Sequence, residues 1–167
     1  YKGEAWTDET KFSDINIEPT SSEFWSGFEL KYPRDNTTEE HWKILRDFID
    51  FVANSSNEEF SNSIEQYLDM ENVIDYFIFI NIVQGLDNMG KNQFIFRYDE
   101  NHPLSFTPWD LDCAFGNYVI WFEDHDINFM KDNLKLWERL YNNNVNDYRN
   151  KVKTRWNEIN GPNLYEQ

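Results

Sequence analysis

The chain has 167 residues, 40% of them hydrophobic and 18% aromatic, and a formal charge of −16. That length and aromatic content argue for a buried core and against disorder, and no run approaches the roughly 18 apolar residues of a membrane-spanning helix. The charge is lopsided: residues 131–167 hold seven Lys/Arg against five Asp/Glu, so residues 1–130 carry all of the negative excess. Most of it reads as solvated surface, but a face so acidic repels nucleic acid and anionic membrane and attracts cations or a basic partner. The single cysteine, Cys113, excludes an intrachain disulfide.

Residues 1–36 read as an irregular, turn-rich lead-in, with extended pieces at Ile15-Asn16-Ile17 and around Phe28-Glu29-Leu30, punctuated by Pro19 and Pro33. A helix follows. Thr37 with Glu40 forms a capping-box pattern, and Trp42, Leu45, Phe48, Ile49 and Val52 recur at helical spacing as an apolar stripe. A short helix is predicted around Glu58 to Tyr67. Asp69 then caps a longer one, Met70 to Gln84, apolar nearly all round and ending at Gly85, which should form the centre of the core.

Gln93–Arg97 and Leu104–Thr107 read as two strands joined through Asp99–Pro103. After a loop from Asn117 to Asn128, residues 131–167 form a mostly helical tail carrying Leu134, Leu136, Trp137, Leu140 and Tyr141, then Val152, Trp156 and Ile159. The expected fold is mainly α with a small β-hairpin, one domain over 1–167, with 37–130 as the core that bears the chemistry.

That chemistry centres on Asp87, two residues past the end of the buried helix, and Asn92, five positions on. A carboxylate on such a supported loop can take the proton of a hydroxyl attacking a phosphate, and an amide oxygen is a hard ligand suited to Mg²⁺. Taken alone, Asp87-Asn88 also reads as an ordinary turn. Asp110 and Asp112 shift the balance. In an extended segment their carboxylates share one side, with Trp109 and Leu111 toward the core, and two such charges call for a cation. The order Asp-x-x-x-x-Asn, hairpin, Asp is that of protein-kinase catalytic and metal loops.

Other candidates are weaker. Glu123-Asp124-His125-Asp126 lacks the Gly and terminal Glu of a calcium loop. His41, His102 and His125 show no ligand spacing, and Cys113 reads as packing. Phosphate-loop, dinucleotide-Gly and Gly-x-Ser-x-Gly patterns are absent.

The run Phe106-Thr107-Pro108-Trp109-Asp110-Leu111-Asp112-Cys113-Ala114-Phe115-Gly116 resembles the Pro-Trp-Asp-x-Asp-x-x-Phe-Gly signature of the spore-coat protein H (CotH) kinase family. Asp87 followed by Lys91-Asn92-Gln93-Phe94-Ile95-Phe96-Arg97 resembles that family's Asp and Asn-Phe-Tyr-Leu-Tyr-Arg run. The resemblance implies an atypical kinase fold that uses ATP and Mg²⁺ or Mn²⁺ to phosphorylate Ser/Thr of secreted, cell-surface or spore-coat proteins, outside the cytoplasm. Carried over, Asp87 is the catalytic carboxylate, Asp110 the metal-binding one, and Asn92 and Asp112 further metal and nucleotide ligands. The chain opens at Tyr1 and has no glycine-rich strand-turn-strand. Lys2, Lys11 and Lys31 carry no motif of a nucleotide lysine, so the expectation is a C-lobe whose N-lobe is absent from this chain. A CotH-type surface binding or adhesion module without catalysis is the alternative.

Overall fold

The computed structural model describes residues 1–34, 38–117 and 134–160. Three short strands come first: β1 (Lys2–Gly3), β2 (Phe24–Trp25) and β3 (Phe28–Glu29). Helices α1 (Glu39–Asn54), α2 (Asn57–Tyr67) and α3 (Met70–Val83) follow, then a 3-10 turn (Leu86–Met89). Strands β4 (Gln93–Phe96) and β5 (Ser105–Pro108) lead to α4 (Lys135–Asn142) and α5 (Tyr148–Ile159). The strands form one antiparallel sheet in the order β2-β3-β1-β4-β5.

The expected hairpin is present, paired from Gln93↔Pro108 to Phe96↔Ser105, but as two strands of five, so the architecture is mixed α/β. The other three strands lie in the predicted lead-in and are two residues long each, too short to show any alternation. Ile15-Asn16-Ile17 is not a strand: the Asn16 and Ile17 N–H groups donate instead to Glu9 Oε1, at 2.8 and 3.3 Å.

Two boundaries move. Helix α1 is capped at Thr38 and not at Thr37, which lies outside the described residues, and the third helical residue is His41, whose Nδ1 accepts the Thr38 N–H at 3.4 Å. Adjacent threonines make either register available. Helix α3 begins at Asp69 as expected, its carboxylate accepting the Asn72 N–H at 3.2 Å. At the other end Gln84, and not Gly85, takes the left-handed conformation (φ 54°). The acidic run Glu123 to Asp126 lies outside the described residues.

The α1 stripe is buried throughout, with Trp42, Leu45, Phe48, Ile49 and Val52 all at 0% exposure. Helix α3 crosses the middle of the core, where Tyr76 stacks on Trp137 at 6.0 Å and lies 5.5 Å from the Phe106 ring. It is not enclosed on every side, since Phe79 and Ile82 are exposed. On β5, an edge strand, the Phe106 N–H and carbonyl have no strand to pair with. The Asn72 side chain substitutes for one, accepting at 2.7 Å and donating at 3.0 Å. That clasp locks α3 against the sheet.

Arg139 is buried, and its guanidinium is turned toward backbone carbonyls. It donates to the carbonyls of Val52, Ser55 and Ser56 at 2.6, 2.8 and 2.9 Å, where a cation complements the negative end of the α1 dipole. Burial pulls its pKa below the ordinary value.

Glu9 fixes the lead-in. Besides Asn16 and Ile17 it accepts the Ser26 hydroxyl at 2.6 Å, and it is almost fully buried. Burial opposes its ionisation, but these hydrogen bonds outweigh that and hold its pKa below the ordinary 4.5. A depressed carboxylate contributes stability that is complete above its unfolded pKa and is lost as pH falls through the folded one. Urea unfolding between about pH 5 and 3 should therefore show a steeper loss of stability in the native protein than in Glu9→Gln; parallel curves would remove Glu9 from that role.

Candidate active site

The end of α3 feeds directly into the 3-10 turn, which places Asp87 on a loop braced by the core. Its side chain is 14% exposed. Oδ1 accepts the Trp6 indole N–H at 3.4 Å; Oδ2 accepts the Asn92 amide at 3.3 Å and meets the Lys91 ammonium at 2.9 Å. The two residues linked by the Asp-x-x-x-x-Asn spacing thus touch. The approach of Trp6 depends on Gly90, because a Cβ there would lie 2.1 Å from the indole ring.

Asn92 is itself pinned. Its N–H donates to the Gly3 carbonyl at 2.9 Å, and its own carbonyl accepts the Trp109 N–H at 3.0 Å. The bond between the two loops is reinforced by Asn88, a residue that reads in the sequence only as turn filler. Fully buried, Asn88 donates its amide to the Asn92 carbonyl at 2.8 Å and to the Trp109 carbonyl at 2.6 Å. Its own carbonyl accepts the Tyr76 hydroxyl at 2.6 Å, a phenol whose pKa burial raises. Asn88 therefore ties α3, the Asp87 turn, the start of β4 and the residue before Asp110 to one point. Trp6 and Tyr76 were likewise missed, and no local spacing marks any of the three.

Asp110 and Asp112 do not share one side of an extended segment. The pairing runs past Pro108, whose nitrogen lies on the open edge of β5, to the Trp109 N–H on the Asn92 carbonyl, and the extended segment ends there. Asp110 is left-handed (φ 52°), and a turn follows, closed by the Ala114 N–H on the Leu111 carbonyl at 3.1 Å. Leu111 is consequently exposed, while Cys113 and Ala114 take the buried positions. Trp109 is half-buried as expected, its ring 6.3 Å from Phe94 with the Lys2 ammonium 3.5 Å above it. The turn is held against α3 by the Phe115 N–H on the Val83 carbonyl at 2.6 Å.

Both carboxylates are exposed, and neither has a hydrogen-bond or ion-pair partner among the described residues. Among those residues, no three His, Cys, Asp or Glu side chains converge on a point. His41 is at its helix cap and His102 pairs with Asp99. Gln84, Asn92, Asp110 and Phe115 all have positive φ. Non-glycine residues in that region cost roughly 1–2 kcal/mol each and gather where a function needs them.

A family model, CotH kinase protein, matches residues 8–164, nearly the whole chain. The chain belongs to the CotH kinase protein family. No curated protein matches it. The signature Pro108 to Gly116 and the Asp87 to Arg97 run fall inside the matched region, so this is a CotH-type kinase-like domain whose two motif-bearing loops are bonded to each other.

Replacing Asn88 by Ala should cost about 1–3 kcal/mol in denaturant unfolding, as expected for stranding buried acceptors. It should also speed hydrogen exchange at the Trp109 amide relative to the α1 amides. Unchanged exchange at Trp109 would show that the loops stay joined without the bridge.

Proposed function

We propose that this domain transfers the γ-phosphoryl group of ATP to Ser or Thr hydroxyls of secreted, cell-surface or spore-coat proteins, as a kinase-like C-lobe working with Mg²⁺ or Mn²⁺. The observation that carries the reading is the Asn88 bridge. It holds the Asp87–Asn92 loop and the Trp109–Asp112 loop side by side, which phosphoryl transfer needs and a plain surface turn does not.

The residues present fit a divalent cation. Asp110 and Asp112 offer hard carboxylate oxygens with no competing partner among the described residues, and Mg²⁺ is ordinarily held by one or two carboxylates together with substrate phosphates, keeping several waters. A cage of three protein acids is not required. Asp110 would hold the ion, with Asp112 and the Asn92 amide as further ligands, and the ion would neutralise charge on the phosphates.

Asp87 is oriented by Trp6, Asn92 and Lys91, so its carboxylate needs little reorganisation to receive the acceptor hydroxyl. The hydroxyl oxygen bonds to the γ-phosphorus, the bond from that phosphorus to the β–γ bridging oxygen breaks, and ADP leaves with the electron pair. The hydroxyl proton passes to Asp87. Since the reaction is mainly positioning and charge neutralisation, the fixed geometry contributes more than basicity.

Calorimetric titration of ATP with Mg²⁺ or Mn²⁺ into the protein, beside Asp110→Ala, tests this. Metal-dependent binding that disappears in the variant is expected. Absence of binding by the native protein would overturn the kinase reading and leave a CotH-type binding or adhesion module.

A further inference from the structure

The Asp87 to Arg97 run ends on a residue that the candidate active site does not use. Arg97 directly follows β4, five positions beyond Asn92 and about 16 Å from it at the rise of an extended strand. It is half-buried, and its guanidinium has no hydrogen bond or ion pair among the described residues. In a chain with 31 Asp and Glu that is unexpected, because a cation drawn out of water ordinarily takes a partner. The acids around it are engaged elsewhere. Glu65 accepts the Asn146 amide at 3.0 Å and meets the Lys151 ammonium at 3.7 Å. Asp99, two residues on, holds the Asn101 N–H and the His102 ring, each at 2.8 Å.

The guanidinium lines a cavity of about 330 Å³. Ile44, Tyr67 and Leu104 supply its apolar surface, and Gln66 and Asn101 supply side-chain amides. The walls are fixed. The Leu104 N–H donates to the Tyr67 carbonyl at 2.7 Å, and the Leu104 carbonyl accepts the Asp69 N–H at 2.9 Å. Those two bonds fasten the far end of the hairpin to the junction of α2 and α3. The cavity is therefore formed before anything enters it, as ligand sites usually are.

We infer that this cavity is a docking site for an acidic side chain of a protein partner, an Asp or Glu whose carboxylate pairs with Arg97. A planar carboxylate presents two oxygens that match the guanidinium fork. The amides of Gln66 and Asn101 offer further donors, and the aliphatic part of the entering residue meets apolar surface. A phosphate fits less well. Among the described residues lining the cavity, Arg97 is the one permanent cation, and Glu65 and Glu100 lie there too, so a single negative charge is favoured over two. The net charge of −16 also repels a segment acidic throughout, so the partner presents its acid singly. The assignment is independent of phosphoryl transfer at Asp87.

The test uses NMR of the full chain, following arginine Nε–Hε groups and the Leu104 amide. The probes are N-acetyl-glutamate N-methylamide, its glutamine analogue and its O-phosphoserine analogue. Arg97→Met, Arg97→Lys and Asp110→Ala would be titrated beside the native protein, and thermal melts run on each.

The glutamate probe should shift the Arg97 and Leu104 resonances saturably, with a Kd on the order of 1 mM. The glutamine probe should bind at least about tenfold more weakly, and the phosphoserine probe no more tightly than glutamate. Arg97→Met should abolish the Leu104 shift, and Arg97→Lys, which keeps the charge without the fork, should weaken it about fivefold. Arg97→Met should also melt no lower than the native protein, since it keeps the apolar stem and removes an unpaired charge. A fall of more than about 3 °C would give Arg97 a structural role and overturn the assignment. So would absence of a saturable shift, an equal response to the glutamine probe, tighter binding of phosphoserine, or the same response at Arg46 and Arg149. Asp110→Ala should bind the glutamate probe as the native protein does; loss there would place the probe at the candidate active site and overturn the docking site.

Discussion

The side-chain amide of Asn88 is the interaction on which the rest of the site depends. It is fully buried and reaches two backbone carbonyls that belong to different loops, at Asn92 and Trp109. Neither loop is part of regular structure where the contact is made. Besides it, the turn that carries Asp87 and the turn that carries Asp110 are joined by the Trp109 N–H on the Asn92 carbonyl. Asn88 Oδ1 is left without a partner among the described residues, a cost that is tolerated because the amide N–H groups on the other side are so well used. The same oxygen explains Gly85: a Cβ there would approach it to 2.9 Å. One side chain therefore sets both the junction and the residue allowed just before it.

Around that junction the chain accepts further costs. Asn92 and Asp110 are left-handed, and the Gln93 amide and Trp109 indole N–H are buried without partners among the described residues. Left-handed residues also occur at Phe12, Ser26, Asn144, Asn146 and Asp147, in every case outside the α-helices, while the interiors of α1 and α3 obey the local rules closely. The division is physically sensible. Helices that bury stripes of large side chains provide the stability, and the loops they support can hold conformations that would be unfavourable in isolation.

The legibility of the sequence follows the same division. The α1 stripe was readable because five apolar residues recur over eleven positions, and Asp69 because a cap acts on its own helix. Asp87 and Asn92 were readable as a pair because their contact is local. Asn88 was not, since its role depends on Trp109, 21 residues away, and an asparagine in a turn has an ordinary explanation. Trp6 lies 81 residues from the carboxylate it binds. The extended reading of Asp110 to Asp112 failed at Asp110. The ladder runs on to the Trp109 N–H, and Asp then takes the left-handed region, which it tolerates and which turns the chain away.

The short strands show most clearly how distant parts of the chain build the site. β1 pairs with β3 on one side and with β4 on the other, so Gly3 faces both Phe28 and Gln93. Its carbonyl takes the N–H of Asn92, at the residue where the Asp87 loop becomes β4. Three residues later Trp6 covers Gly90 and donates to Asp87. Glu9 then fixes the segment by binding Ser26 in the turn between β2 and β3. Each step is a single polar contact, and two-residue strands have little pairing energy of their own. They persist because Phe12, Trp25 and Phe28 are buried in the same core as α1 and β5. The placement of Asp87 therefore depends on hydrophobic burial by residues far from it in sequence, transmitted through a strand too short to be seen as one.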